Sequence, residues 1–77
     1  MITAEQLADL ALEIDKRDQI DWGELAIDEH TAFKLMATHV LDMDNCPLTN
    51  KAVIVKLLVE NFVLNLKLLQ NSKHLRL

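Results

Sequence analysis

The densest apolar stretch of the chain is Ala52 to Leu69, in which thirteen of eighteen positions are apolar and neither Gly nor Pro intervenes. On a helix of about 3.6 residues per turn, one stripe is apolar throughout: Leu48, Ala52, Val55, Val59, Phe62, Leu66 and Leu69, widened by Val63. A second side carries Ile54, Leu57, Leu58, Leu64 and Leu68, with Asn61 and Asn65 among them. Only Lys56, Glu60 and Lys67 form a polar stripe, and Lys56 and Glu60 stand at the i,i+4 spacing of an ion pair. A helix apolar around most of its circumference is expected to be buried on most of it. Three charges and two asparagines lie inside the stretch. Each charge costs about 2.5–3.5 kcal/mol at the centre of a bilayer, so burial by protein is the expectation and a membrane span is not.

Two shorter helices precede it. Thr3 to Gln6 reads T-x-x-Q, a capping box, with Ile2 and Leu7 placed as a hydrophobic staple. The first helix is expected over about 4–16, with Ala4, Leu7, Leu10, Ala11 and Ile14 inward and Glu5, Asp9 and Glu13 in water. Lys16 and Arg17 suit its negative dipole end. Residues 18–27 are the least regular part. They contain the chain's only Gly and only Trp, and Asp21 with Glu24 is placed to cap a single helical turn. Asp28 is the expected N-cap of a second helix over about 29–43. Its inner face reads Ala32, Leu35, Met36, Val40 and Met43, with Phe33 at the border. Asp44-Asn45-Cys46-Pro47 breaks it, with Asn45 suited to a left-handed residue after the helix end. Thr49 is placed to cap a third helix over about 50–71, and 73–77 is a fraying tail. The expectation is a single all-α domain of three helices across residues 1–77, with a long and mostly buried C-terminal helix.

Size sharpens the picture. Seventy-seven residues form a domain that is marginal on its own. One cysteine allows no internal disulfide, and there is no cluster to hold a structural zinc. Association is the remaining common route to stability. With two short helices available to cover one side of the third, the other side points to a second copy and a two-fold homodimer. The expected interface is Ile54, Leu57, Leu58, Asn61, Asn65 and Leu68. Asn61 and Asn65 are one turn apart, and polar residues in an apolar seam fix register and partner number.

Charge excludes some partners. Residues 1–44 hold eleven acids against three Lys/Arg, and residues 45–77 one acid against five, for a net charge of −4. An acidic domain with so apolar a third helix argues against nucleic acid and against a membrane surface. The opening MITAEQLADL lacks the basic segment and apolar core of a secretory leader. With a lone cysteine, the expected compartment is the cytoplasm.

Candidate chemistry is sparse. The sequence contains no phosphate-binding Gly-rich loop, HExxH, GxSxG or CxxC, so no cofactor is expected. Asp42 to Asn45 resembles the start of a calcium loop, but such a loop needs Gly and Glu where Pro47 and Val53 stand. His39 lies between Leu35, Met36, Val40 and Met43 and is expected to point inward or to an interface, His30 is too far around that helix to share a metal, and no basic residue adjoins Cys46. Trp22 is expected as an anchor over the helix ends. These residues lead to a non-enzymatic homodimeric interaction or accessory protein that displays its first two helices to a larger protein. Two contrasting expectations remain. One is a ligand-binding or enzymatic dimer with an interface cavity near His39, Glu60 and Cys46. The other is a monomeric adaptor that takes a partner's amphipathic helix on its third helix.

Overall fold

In a computed structural model the chain is described over residues 2–43 and 46–75, with side chains as far as Gln70. Three helices, α1 (Ala4–Asp15), α2 (Glu29–Val40) and α3 (Leu48–Leu75), pack each against both others, and the described residues contain no strand. No helix among them is long and apolar enough to cross a membrane.

The helix starts follow from their caps. The Thr3 hydroxyl accepts from the Gln6 N–H at 3.1 Å, and the Gln6 side chain accepts from the Thr3 N–H at 2.9 Å. A cap of this type is worth about 1 kcal/mol. Asp28 caps α2 by accepting from the Thr31 hydroxyl at 2.6 Å and the Thr31 N–H at 3.0 Å. Those two bonds hold the Asp28 carboxyl below its ordinary pKa. α2 ends at Val40, where the Leu41 carbonyl, left free by the helix end, accepts from Lys51 Nζ at 3.0 Å. Asp42 follows at the negative end of the helix dipole, where an acid does not favour another turn. α3 begins directly after Pro47, and Thr49 lies inside its first turn. Asn45 and the end of the tail lie outside the described residues.

The connection 16–28 contains a turn at Gly23 and no helical turn. Asp21 Oδ1 accepts from the Gly23 N–H at 3.0 Å, so Asp21 holds a turn here in place of capping a helix. Gly23 has a φ of 59°, where a side chain is strained. A Cβ there would also stand 3.3 Å from Lys67 Cε. Lys67 straps this connection to α3, because its Nζ donates to the Asp21 carbonyl and lies 3.5 Å from the Asp21 carboxylate.

The core is made of small residues. Ala8, Ala11, Ala32, Ala37, Ala52, Val40, Val55, Val59 and Val63 are buried around Leu7 and Phe33, with Ile20 closing one end. Small side chains at the contacts let helix axes approach closely. Several inward assignments change as a result. Phe33 is fully buried and not at the border, while Leu35, Met43 and Leu10 are exposed. On α2 the buried set is Ala32, Phe33, Ala37 and Val40, a stripe rotated toward the alanines. On α3 it is Ala52, Val55, Lys56, Val59 and Val63. Phe62 and Leu66 are only half-buried, and Leu48 and Leu69 are exposed.

α3 is therefore not mostly buried within one chain. α1 and α2 have 12 residues each and α3 has 28. At 1.5 Å per residue that is about 18 Å of cover for about 42 Å of helix. The molecule is accordingly 50 Å long and 23 by 17 Å across.

Candidate functional site

Five of the exposed leucines among the described residues lie on the outer face of α3. Leu57 is 55% exposed, Leu58 36%, Leu64 53%, Leu68 62% and Leu69 61%. Ile54 is half-buried at the upper edge, and Asn61 and Asn65 are exposed among the leucines. The six residues expected at an interface thus lie on one outward side of α3, with Leu64 and Leu69 extending it. Isolated exposed leucines are ordinary; here five lie along one side of a single helix, with Asn61 and Asn65 between them.

A second group of polar side chains is buried where α1, α3 and the 16–28 connection meet. Asp15 closes α1 on its inner side, one turn past Ala11, and Lys56 lies one turn past Ala52 on the inner side of α3. Their side chains are 4% and 10% exposed, with Lys56 Nζ 3.9 Å from Asp15 Oδ1. The same Asp15 oxygen accepts from the Ile20 N–H at 3.1 Å, and Lys56 Nζ donates to Glu60 Oε2 at 3.2 Å. Lys56 is thus not part of a solvated stripe; the stripe rotated inward and took it along. Breaking a buried pair by removing one partner costs about 3–5 kcal/mol, because the other charge stays buried.

Glu29 and Trp22 border this group. Partial burial raises the Glu29 pKa, and the Asp15 carboxylate raises it further. The Trp22 side chain packs against the core from the connection, and its Nε1 is buried without a hydrogen-bond partner. A cleft opening beside Asp15 is lined by Asp9, Glu13, Asp15, Lys16, Gln19 and Glu29, with Leu12 at its floor.

The structure gives His39, Glu60 and Cys46 separate surroundings. His39 is exposed on its own chain, which removes the inward placement, and its Nδ1 lies 3.1 Å from the Leu35 carbonyl one turn back. Glu60 is held by Lys56, and it lines a shallow cleft with the 18–21 segment, Val63, Leu64 and Lys67. Cys46 is a half-buried free thiol at the other end of α3. Among the described residues no group of three His, Cys, Asp or Glu side chains is placed to hold a metal ion.

Sequence reasoning passed over Asp15 and Lys56. The available signal was position: Asp15 extends the Leu7–Ala8–Ala11 stripe, and Lys56 continues Ala52 toward Val59 and Val63. A charged residue in line with small apolar ones on two helices is the pattern of a buried pair. Compared with protein-family models, with curated proteins and with solved structures, the chain matches none.

Proposed function

We propose that this is a non-enzymatic interaction protein whose working unit is a homodimer built on the outer face of α3. The observation that carries the reading is the row of exposed leucines from Leu57 to Leu69 on a helix whose other face already serves the core. Water contact with such a row is costly, and another apolar surface relieves it. Two copies burying these side chains against each other hide on the order of 1,000 Å², the lower bound for a specific interface. A second copy supplies a surface of matching length and character, and a two-fold axis needs no further partner.

In this reading the acidic outer surfaces of α1 and the 16–28 connection stay free to engage a larger protein, and the buried Asp15–Lys56 pair holds that connection in place. A cytoplasmic setting suits a lone, unpaired cysteine. The alternative of chemistry at His39, Glu60 and Cys46 draws no support from their separate surroundings.

The test is sedimentation equilibrium of the wild-type chain beside Leu57→Glu. The expected result is a dimer for the wild type and a monomer of unchanged helical content for the variant. A wild-type monomer that acquires a second mass only with an added amphipathic helix would replace the homodimer with the adaptor reading.

A further inference from the structure

The outer face of α3 carries its own register. Ile54, Leu57, Asn61, Leu64 and Leu68 follow one another at intervals of three, four, three and four residues. That repeat keeps one seam of a helix against a partner helix over its whole length. Asn61 stands at its centre, with two apolar residues on each side.

We propose that a second copy of the chain pairs with this seam in parallel and in register, so that the two Asn61 amides meet at the two-fold axis. The proposal rests on the homodimer reading above, and the occupant follows from it: the leucine area, doubled, reaches what a specific interface needs. What the seam adds is orientation, and the asparagines decide it. In a parallel pair every seam residue meets its own counterpart. Four layers are then wholly apolar, and the single polar layer sets amide against amide, where each side chain offers both a donor and an acceptor. An antiparallel pair centred on Asn61 sets Leu57 level with the partner's Asn65. An antiparallel pair shifted into regular layers sets Asn61 level with the partner's Leu64. Both leave an amide against a leucine, and a buried polar group without a partner is the costliest outcome.

The charged side chains that flank the middle of the seam do not oppose the parallel arrangement. Glu60 and Lys67, the charged groups nearest the seam, are held within their own chain by Lys56 at 3.2 Å and by Asp21 at 3.5 Å. Both therefore point toward the chain's own 16–28 connection or inner face. Length favours the arrangement too. α3 runs well past the cover of α1 and α2, and in a parallel pair the uncovered end of each copy lies against the uncovered end of the other.

Cys46, the only cysteine of the chain, sits just before α3 and is half-buried. A nitroxide on it therefore reports orientation in the native sequence by pulsed dipolar spectroscopy, with the molar mass of the same labelled sample recorded alongside. A parallel dimer puts both labels at one end, less than about 30 Å apart, whereas an antiparallel dimer centred on Asn61 separates them by about 45 Å along the axis. A dimer mass with the short distance is the expected result. A dimer mass with the long distance overturns the parallel register and leaves the homodimer standing. A monomer mass without intermolecular coupling overturns both. As a check independent of the label, Leu57→Cys in a Cys46→Ser background is expected to cross-link to its own counterpart on oxidation, and its failure in a dimer of normal mass counts against the proposal.

Discussion

The two faces of α3 are almost equally apolar in composition and opposite in exposure. The inner face is Ala52, Val55, Val59 and Val63 with one buried lysine, and the outer face is leucine with two asparagines. The larger and more hydrophobic side chains are the ones in water. The core that the inner face joins is built of Ala8, Ala11, Ala32 and Ala37 around Leu7 and Phe33. The helix thus has one face packed in the core of its own chain and one face left exposed.

The sharpest way to break the comparison is to put the same kind of charge on each face. Val59→Asp places a carboxylate among fully buried side chains. It is expected to cost more than about 4 kcal/mol, enough to unfold a domain of this size, and circular dichroism would show the lost helix. Leu57→Glu is expected to leave the helical signal in place and lose the dimer. If both variants unfold, the two faces are not separable.

Lys56 refines the inner face. Lys56→Ala leaves Asp15 buried without its cation and is expected to lower stability by about 3 kcal/mol in urea denaturation. Lys56→Met fills the space but also strands Asp15, so a large loss should persist. Asp15→Asn combined with Lys56→Met removes both charges, keeps an acceptor for the Ile20 N–H and should recover much of that loss. If the double variant is no better than the singles, the pair is not what makes Lys56 matter.

Part of this division was hard to read from the chain. The helix number and the caps at Thr3 and Asp28 were legible, because capping depends on local spacing. The apolar outer row of α3 was legible as a row. The side turned to the chain's own helices was legible as well, since Ala52, Val55, Val59 and Val63 of the first stripe are buried; what was not legible was that Lys56 turns inward with them while Leu48 and Leu69 of that stripe stay exposed. On α2, Phe33, expected at the border, is buried, and Leu35, expected inward, is exposed. Lys56 was assigned to solvent from its charge and its i,i+4 partner Glu60, but its counter-charge Asp15 is forty-one residues earlier. His39 stands between Leu35, Met36, Val40 and Met43, which point inward or to an interface in the sequence; Leu35 and Met43 are exposed and His39 lies on their side of α2.

Asn61 sharpens the outer face by a smaller effect. Asn61→Leu is expected to raise the melting temperature of the associated state and to admit masses above the dimer in light scattering, because the residue that fixes partner number is gone. A variant that keeps a single dimer mass and melts lower would show that Asn61 has another role. The smallest effect lies at the border of the buried pair. Glu29 has a raised pKa in the folded chain, so its ionised form opposes folding above that pKa, and the penalty fades as pH falls toward the ordinary value of 4.5. Glu29→Gln is therefore expected to stabilise at neutral pH by less than about 0.5 kcal/mol, the side chain being largely exposed, and to gain nothing near pH 4. Thermal melts at the two pH values check the sign.

The most direct measurement is the molar mass of the unmodified chain by light scattering over a wide concentration range. The outer face of α3 as a homodimer interface predicts the mass of two chains, constant until dilution finally splits the pair. The mass of one chain throughout that range would contradict it, and would mean that the leucines of α3 are held for a partner other than a second copy.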